Sequence, residues 1–168
     1  SGGGWKHVYK VRNAEEFFNA YHKTGDLAMV LQEGIEYTEY YRCYTVGRKK
    51  VRIMWYDPSK PYLGGQYGID EGNINQALRD RITEYCLKIN QALGYDLNTA
   101  EFAVRDGIPY AIDYCNPAPD ADINSVGASN FEWLVEAMAT LAIERAQQPQ
   151  KPPKEYAWSS FISGGQGA

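Results

Sequence analysis

The dipeptide Asp106-Gly107 separates two segments that are typical of β-strands, Ala100–Arg105 and Pro109–Tyr114. A two-residue connection of this composition favours a tight turn, because aspartate and especially glycine tolerate the positive φ angles that such a turn requires. Tight turns join antiparallel strands, whereas parallel strands need a crossover of a dozen or more residues. This part of the chain is therefore expected to form an antiparallel hairpin.

Four further segments have the composition of strands. A second hairpin is predicted around Gly47-Arg48, where it joins Tyr40–Val46 to Lys50–Tyr56. Two short strands are predicted earlier in the chain, at His7–Val11 and Leu27–Gln32. The second of these is a short apolar run, which is typical of a buried strand.

Three segments have the periodicity of helices. The clearest spans Asn73–Leu93, where apolar side chains recur every three or four residues, and Gly94 ends it. The other two are Ala14–Lys23, capped by Asn13, and Phe131–Ala146. Strands and helices do not alternate regularly, which argues against a parallel βαβ sheet. The sequence therefore predicts the α+β class, with an antiparallel sheet packed with helices.

Charge and cysteine content limit the possible functions. The net charge of −4 argues against nucleic acid as the main partner, because binding a phosphate backbone needs a basic surface. No run of about 18 apolar residues is present, so no membrane span is expected. The three cysteines are far apart in the sequence, which favours free thiols over a disulfide framework or a zinc site. We therefore expect a cytoplasmic protein.

Two segments near the start of the chain could contact a nucleotide. Gly2, Gly3 and Gly4 precede the first predicted strand, and glycine lets backbone N–H groups approach phosphate oxygens closely. A glycine-rich terminus without function is the alternative. The segment Val30–Ile35 is apolar and then polar, and it could offer hydrogen bonds to a flat heterocycle. An ordinary strand end is the alternative for this segment.

The Asp106-Gly107 hairpin carries candidate metal ligands. Glu101 lies on its first strand, and Asp113 and Asn116 lie on and just beyond the second. Hard oxygen ligands at the ends of neighbouring strands suit Mg²⁺, which also takes oxygens from bound phosphates. An ion pair of Asp113 with Arg105 is the structural alternative.

Taken together, these residues resemble the ATP-grasp superfamily, on the side of the ribosomal-protein-modifying and glutathione-synthetase-like ligases. Besides the glycines, the Val30–Ile35 segment and the hairpin, a strand that contains Arg42 and ends in Val46-Gly47 matches the family. The resemblance implies that residues 1–146 are part of an ATP-grasp domain starting at its glycine-rich loop, followed by a Pro-, Gln- and Gly-rich tail at 147–168. The family's N-terminal portion has no counterpart here and is an expected partner.

The resemblance also implies the cofactors ATP and Mg²⁺, or Mn²⁺, and a role for each group of residues. Glu101, Asp113 and Asn116 would hold the metal. Arg42 would face the γ-phosphate or an acyl phosphate, and an ion pair with Glu39 or a neighbouring strand is the alternative. The nucleotide contacts implied are phosphates at Gly2, Gly3 and Gly4 and adenine at Gln32, Glu33, Gly34 and Ile35. Tyr40 occupies the position of the family's acidic ribose ligand, so the ribose contact is assigned to neighbouring Glu39, with Glu36 as the other nearby acid.

One departure from the family concerns the metal ligands. Two residues separate Asp113 from Asn116, where the family usually has one. In a regular strand these two side chains would point to opposite faces of the sheet. Either a β-bulge restores their convergence, which we favour, or Tyr114 occupies the ligand position.

The implied reaction is phosphorylation of a carboxylate to an acyl phosphate, which an amine or thiol then attacks. The fragment by itself is expected to be inactive. Two other functions stay open, a non-catalytic nucleotide-binding module and an interaction domain without a ligand. The sequence does not identify the acid or the nucleophile.

Overall fold

The computed structural model describes residues 7–60, 65–68 and 74–148. The chain divides into two compact units, one ending at Ile35 and the other beginning at Glu36. Among the described residues of the first unit, the regular element is helix α1, Ala14–His22. It begins as predicted, since the side chain of Asn13 accepts a hydrogen bond from the Glu16 backbone N–H at 2.9 Å.

The two strand predictions for the first unit are wrong. Residues 7–11 and 27–32 have no regular secondary structure. Val30 and Leu31, expected to be buried, are 87% and 73% exposed. A strand is stabilised by hydrogen bonds to a neighbouring strand, and no described residue of this unit belongs to one. Apolar composition by itself therefore overestimated the strand content.

The second unit is built on a four-stranded antiparallel sheet with the order β2-β1-β3-β4. The strands are β1 (Glu39–Val46), β2 (Lys50–Trp55), β3 (Leu97–Arg105) and β4 (Ile108–Asn116). Both predicted hairpins are confirmed. At the β3–β4 turn, Asp106 and Gly107 have φ angles of 54° and 72°, as the expected two-residue turn requires.

Helices cover both faces of the sheet. Helix α2 (Gln76–Leu93) begins at the cap Asn75 and ends at Gly94, whose φ is 74°. Its residues Leu78, Ile82 and Cys86 pack on one face, in a cluster with Tyr41 and Phe102.

The other face packs against a short helix, α3 (Ile123–Val126), and a long one, α4 (Ala128–Gln147). Leu134 and Ala137 of α4 form a cluster there with Tyr44 and Val46. The predicted α+β class is thus confirmed. Within the described residues, no helix combines the length and apolar character needed to cross a membrane.

Candidate functional site

The predicted metal ligands lie on the sheet face that packs against α4. Strand alternation places Arg42 and Tyr44 on this face of β1, where they pair with Glu101 and Thr99 of β3. Tyr44 belongs to the apolar cluster with α4, whereas Arg42 and Glu101 belong to neither apolar cluster. The same face therefore has an apolar part under α4 and a charged part around Arg42.

Strand β4 contains the bulge that the Asp-x-x-Asn spacing favours. Asp113 pairs with Glu101 and Asn116 pairs with Thr99, so three steps along β4 match two along β3. Residues paired across two strands point to the same face. Asp113 and Asn116 therefore both lie on the face of Glu101, and the prediction of a bulge is confirmed. Their role as metal ligands stays a prediction.

Glu101 has two partners in this arrangement. Its Oε1 lies 3.3 Å from Nη1 of Arg42, and its Oε2 accepts a hydrogen bond of 2.7 Å from the Tyr40 hydroxyl. The Arg42 and Glu101 side chains are 12% and 13% exposed. The sheet-neighbour ion pair, the alternative for Arg42, is therefore present.

Burial shifts the titration of this cluster. Desolvation raises the pKa of Glu101, and the positive charge of Arg42 and the Tyr40 hydrogen bond oppose that shift. The negative charge of Asp113 raises the Glu101 pKa further. Desolvation also raises the pKa of Tyr40, and Glu101 adds to it, so Tyr40 remains a hydrogen-bond donor. A cation at this position would relieve the repulsion between the two carboxylates.

Two tyrosines extend the site around Arg42. The guanidinium carbon of Arg42 lies 5.6 Å from the ring centre of Tyr56 and 5.8 Å from that of Tyr67. In the part of the chain that the structure describes, Nε of Arg42 and the hydroxyl of Tyr67 are buried and have no hydrogen-bond partner. Buried donors of this kind suit an anionic oxygen. Sequence reasoning missed Tyr67, because it lies in the loop after β2 and belongs to no motif.

Glu39 does not join these residues. It pairs with Val104, which lies in the α2-side core, and its side chain accepts a hydrogen bond from the Tyr41 hydroxyl. Glu39 is three residues from Arg42, so strand alternation turns the two side chains to opposite faces. Glu39 therefore lies on the opposite sheet face from Arg42 and Glu101, and its contact with the ribose stays a prediction.

The other predicted nucleotide contacts belong to the first unit or fall outside the described residues. Gln32, Glu33, Gly34 and Ile35 belong to the first unit, in a stretch without regular secondary structure. Gly2, Gly3 and Gly4 lie outside the described residues. The adenine and phosphate contacts therefore stay predictions.

The predicted ligands are compatible with Mg²⁺, but they do not complete its coordination shell by themselves. Among the described residues, no group of three or more His, Cys, Asp and Glu side chains could hold a metal ion. The predicted set instead has two carboxylates and one amide, Glu101, Asp113 and Asn116. Mg²⁺ is commonly bound by one or two carboxylates and completes its shell with water and phosphate oxygens. The residues present fit such an ion.

Comparison with known proteins gives a match in structure. No protein-family model and no curated protein matches the chain. A crystal structure of D-alanine–D-alanine ligase from Bacillus anthracis complexed with ATP is similar, with a TM-score of 0.60 and 16% identity over 80% of this chain and 50% of that one. Another structure of a D-alanine–D-alanine ligase from Bacillus anthracis gives a TM-score of 0.58 and 17% identity over 80% and 51% of the chains.

The chain thus spans about half the length of these ligases and shares their fold over that half. The ATP-grasp fold that the sequence predicted is confirmed by these neighbours. At this level of identity the similarity establishes the fold, and function has to be argued from the site itself.

Proposed function

We propose that this chain is part of an ATP- and Mg²⁺-dependent ligase of the ATP-grasp type. The parent protein would activate a carboxylate as an acyl phosphate, which an amine or thiol then attacks. The observation that carries the proposal is the β4 bulge, which puts Asp113 and Asn116 on the same sheet face as Glu101. The ATP complex of the similar ligase supports ATP as the nucleotide.

Glu101, Asp113 and Asn116 would hold the metal through their side-chain oxygens. A bound Mg²⁺ neutralises phosphate charge and orients the phosphates, which is most of what a protein supplies to phosphoryl transfer. Buried Glu101 already interacts with the negative charge of Asp113, and this raises its pKa. The pair is therefore a favourable place for a divalent cation, since binding removes a repulsion as well as adding an attraction.

Arg42 would bind an oxygen of the γ-phosphate or acyl phosphate. Its guanidinium contacts Glu101 and the faces of two tyrosine rings. If Glu101 were to hold a metal cation, Arg42 would have donors available for a phosphate oxygen. The unpartnered Nε of Arg42 and the Tyr67 hydroxyl support an anionic acceptor here.

A non-catalytic nucleotide-binding module is the second candidate. It is favoured by one observation: Tyr40 occupies the position expected for the ribose acid, and neighbouring Glu39 faces the α2 side.

For either function we place the protein in the cytoplasm, where ATP is available and thiols such as Cys43 and Cys86 stay reduced.

The proposal is tested by calorimetric titration of a non-hydrolysable ATP analogue into the intact protein, with and without Mg²⁺. We expect Mg²⁺ to tighten binding in the wild type. Asn116→Ala is expected to reduce that Mg²⁺-dependent gain several-fold and to leave the metal-free affinity unchanged, because it removes one neutral ligand oxygen. Circular dichroism of both proteins controls for folding.

Each alternative outcome points to one hypothesis. Binding of equal strength with and without Mg²⁺, in both proteins, would favour the non-catalytic module. No binding by the folded wild type would rule out the ATP-dependent function.

A further inference from the structure

Asn98 of β3 contacts the bulge from the α2 side of the sheet. It is 1% exposed, although asparagine is mostly found on protein surfaces. Its Oδ1 accepts a hydrogen bond of 2.8 Å from the backbone N–H of Asn116, and its Nδ2 donates one of 2.9 Å to the backbone carbonyl of Tyr114. Both backbone groups flank Cys115, so the side chain replaces ladder bonds that the bulge interrupts.

A second buried asparagine supports this contact. Nδ2 of Asn98 also donates to Oδ1 of Asn90 in α2 at 3.0 Å, and Nδ2 of Asn90 donates to the Thr45 carbonyl at 3.3 Å. Asn90 is fully buried. The Asn98 amide thus uses its acceptor and its donors at once, a combination that leucine, threonine and aspartate cannot provide. Through these hydrogen bonds Asn98 and Asn90 connect the bulge to α2 and to β1.

We propose that Asn98 is a positioning residue, whose amide fixes the β4 register that brings Asn116 to the face shared by Glu101 and Asp113. If β4 paired regularly beyond Asp113, Cys115 would lie opposite Thr99 and Asn116 would turn to the α2 face. The bulge would also leave two partly buried backbone groups without their present partners once the Asn98 amide is removed. Regular pairing is therefore the expected response to losing this side chain. The consequence for ligand binding rests on the proposed function.

The register is measured directly by NMR on the intact protein. In the wild type we expect cross-strand contacts between Thr99 and Asn116 and a slowly exchanging Asn116 amide. Asn98→Leu is expected to lose those contacts and to speed exchange of that amide at least about tenfold, since its acceptor is gone. Val104→Ala is the control, because it removes buried volume from the same strand without touching the bulge.

Asn98→Thr serves as a second variant if the leucine variant does not fold, since threonine suits a strand but its shorter side chain has one O–H donor where the Asn98 amide uses two N–H donors. It is expected to lose the Thr99–Asn116 contacts as well. A folded Asn98 variant that keeps these contacts and the protected Asn116 amide would overturn the proposal.

Nucleotide binding provides the second measurement. Asn98→Leu or Asn98→Thr is expected to reduce the Mg²⁺-dependent gain in affinity for the ATP analogue several-fold, as Asn116→Ala does, with unchanged affinity in the absence of metal. Val104→Ala should keep the full gain. An unchanged gain in a variant with an altered register would also overturn the proposal. If the wild type shows no Mg²⁺-dependent binding, the proposed function fails, and the NMR contacts decide the role of Asn98 by themselves.

Discussion

Arg42→Met is expected to lower the free energy of unfolding by about 3 kcal/mol, because it leaves the Glu101 carboxylate buried without its cation. The two side chains are 12% and 13% exposed, so water screens the lost charge only weakly. The double variant Arg42→Met/Glu101→Leu is expected to lose much less, since an apolar pair of similar volume has no charge to desolvate. Urea denaturation of the intact protein at neutral pH measures both effects.

An exposed ion pair provides the matched control. Lys49 contacts Glu144 at 3.3 Å, and the two side chains are 71% and 44% exposed. Lys49→Met is therefore expected to change the free energy of unfolding by less than about 1 kcal/mol. If Arg42→Met costs no more than Lys49→Met, the buried pair does not hold this part of the sheet together.

The loss in free energy of unfolding caused by Arg42→Met should grow as pH rises. The pKa of Glu101 is raised by burial, and removing Arg42 takes away a charge that lowers it. A carboxyl group whose pKa is higher in the folded state than in the unfolded state favours folding at low pH and loses that contribution as pH rises through the folded value. The destabilisation should thus be smaller near pH 5 than near pH 8.

Asp113→Asn is expected to reduce the Mg²⁺-dependent gain in nucleotide affinity by about tenfold or more, a larger loss than that of Asn116→Ala. It removes one of the two negative charges that a divalent cation would neutralise at this site. Asp113 is exposed, so the free energy of unfolding should change by about 0.5 kcal/mol at most. Calorimetric titration of the ATP analogue, with and without Mg²⁺, measures the effect.

Asp106→Asn is the matched control for that substitution. Asp106 lies at the turn of the same hairpin with a φ of 54°, a conformation that asparagine also tolerates. It makes the same change of charge away from the proposed ligands, so the Mg²⁺-dependent gain should be unchanged. A full gain in Asp113→Asn, or an equal loss in Asp106→Asn, would show that Asp113 does not bind the metal.

The parts of the fold predicted correctly from the sequence are those with local causes. The turn at Asp106-Gly107 and the helix end at Gly94 depend on backbone conformations that few residues tolerate, so a single dipeptide or glycine indicates them. Leu27–Gln32 has the composition of a strand, but composition does not reveal whether a partner strand exists. That information is tertiary, and the prediction was wrong for this reason.

The sequence indicated which residues could bind a metal, but not which side chains the strand register brings together. The Asp-x-x-Asn spacing indicated a bulge, because two ligands must share a face, yet the contact that holds the bulge comes from Asn98. The ion pair of Arg42 with Glu101 depends on the register between β1 and β3, which no local pattern fixes. A shift of one position along β1 likewise decides whether Glu39 or Tyr40 faces the site.

The most direct test of the proposed magnesium site is a crystal structure of the intact protein with Mg²⁺ and a non-hydrolysable ATP analogue. We expect a magnesium ion about 2.1 Å from oxygens of Glu101, Asp113 and Asn116, and an Arg42 side chain that contacts a phosphate oxygen instead of Glu101. Bound nucleotide with its phosphates and metal away from these side chains, and with the Arg42–Glu101 ion pair intact, would contradict it.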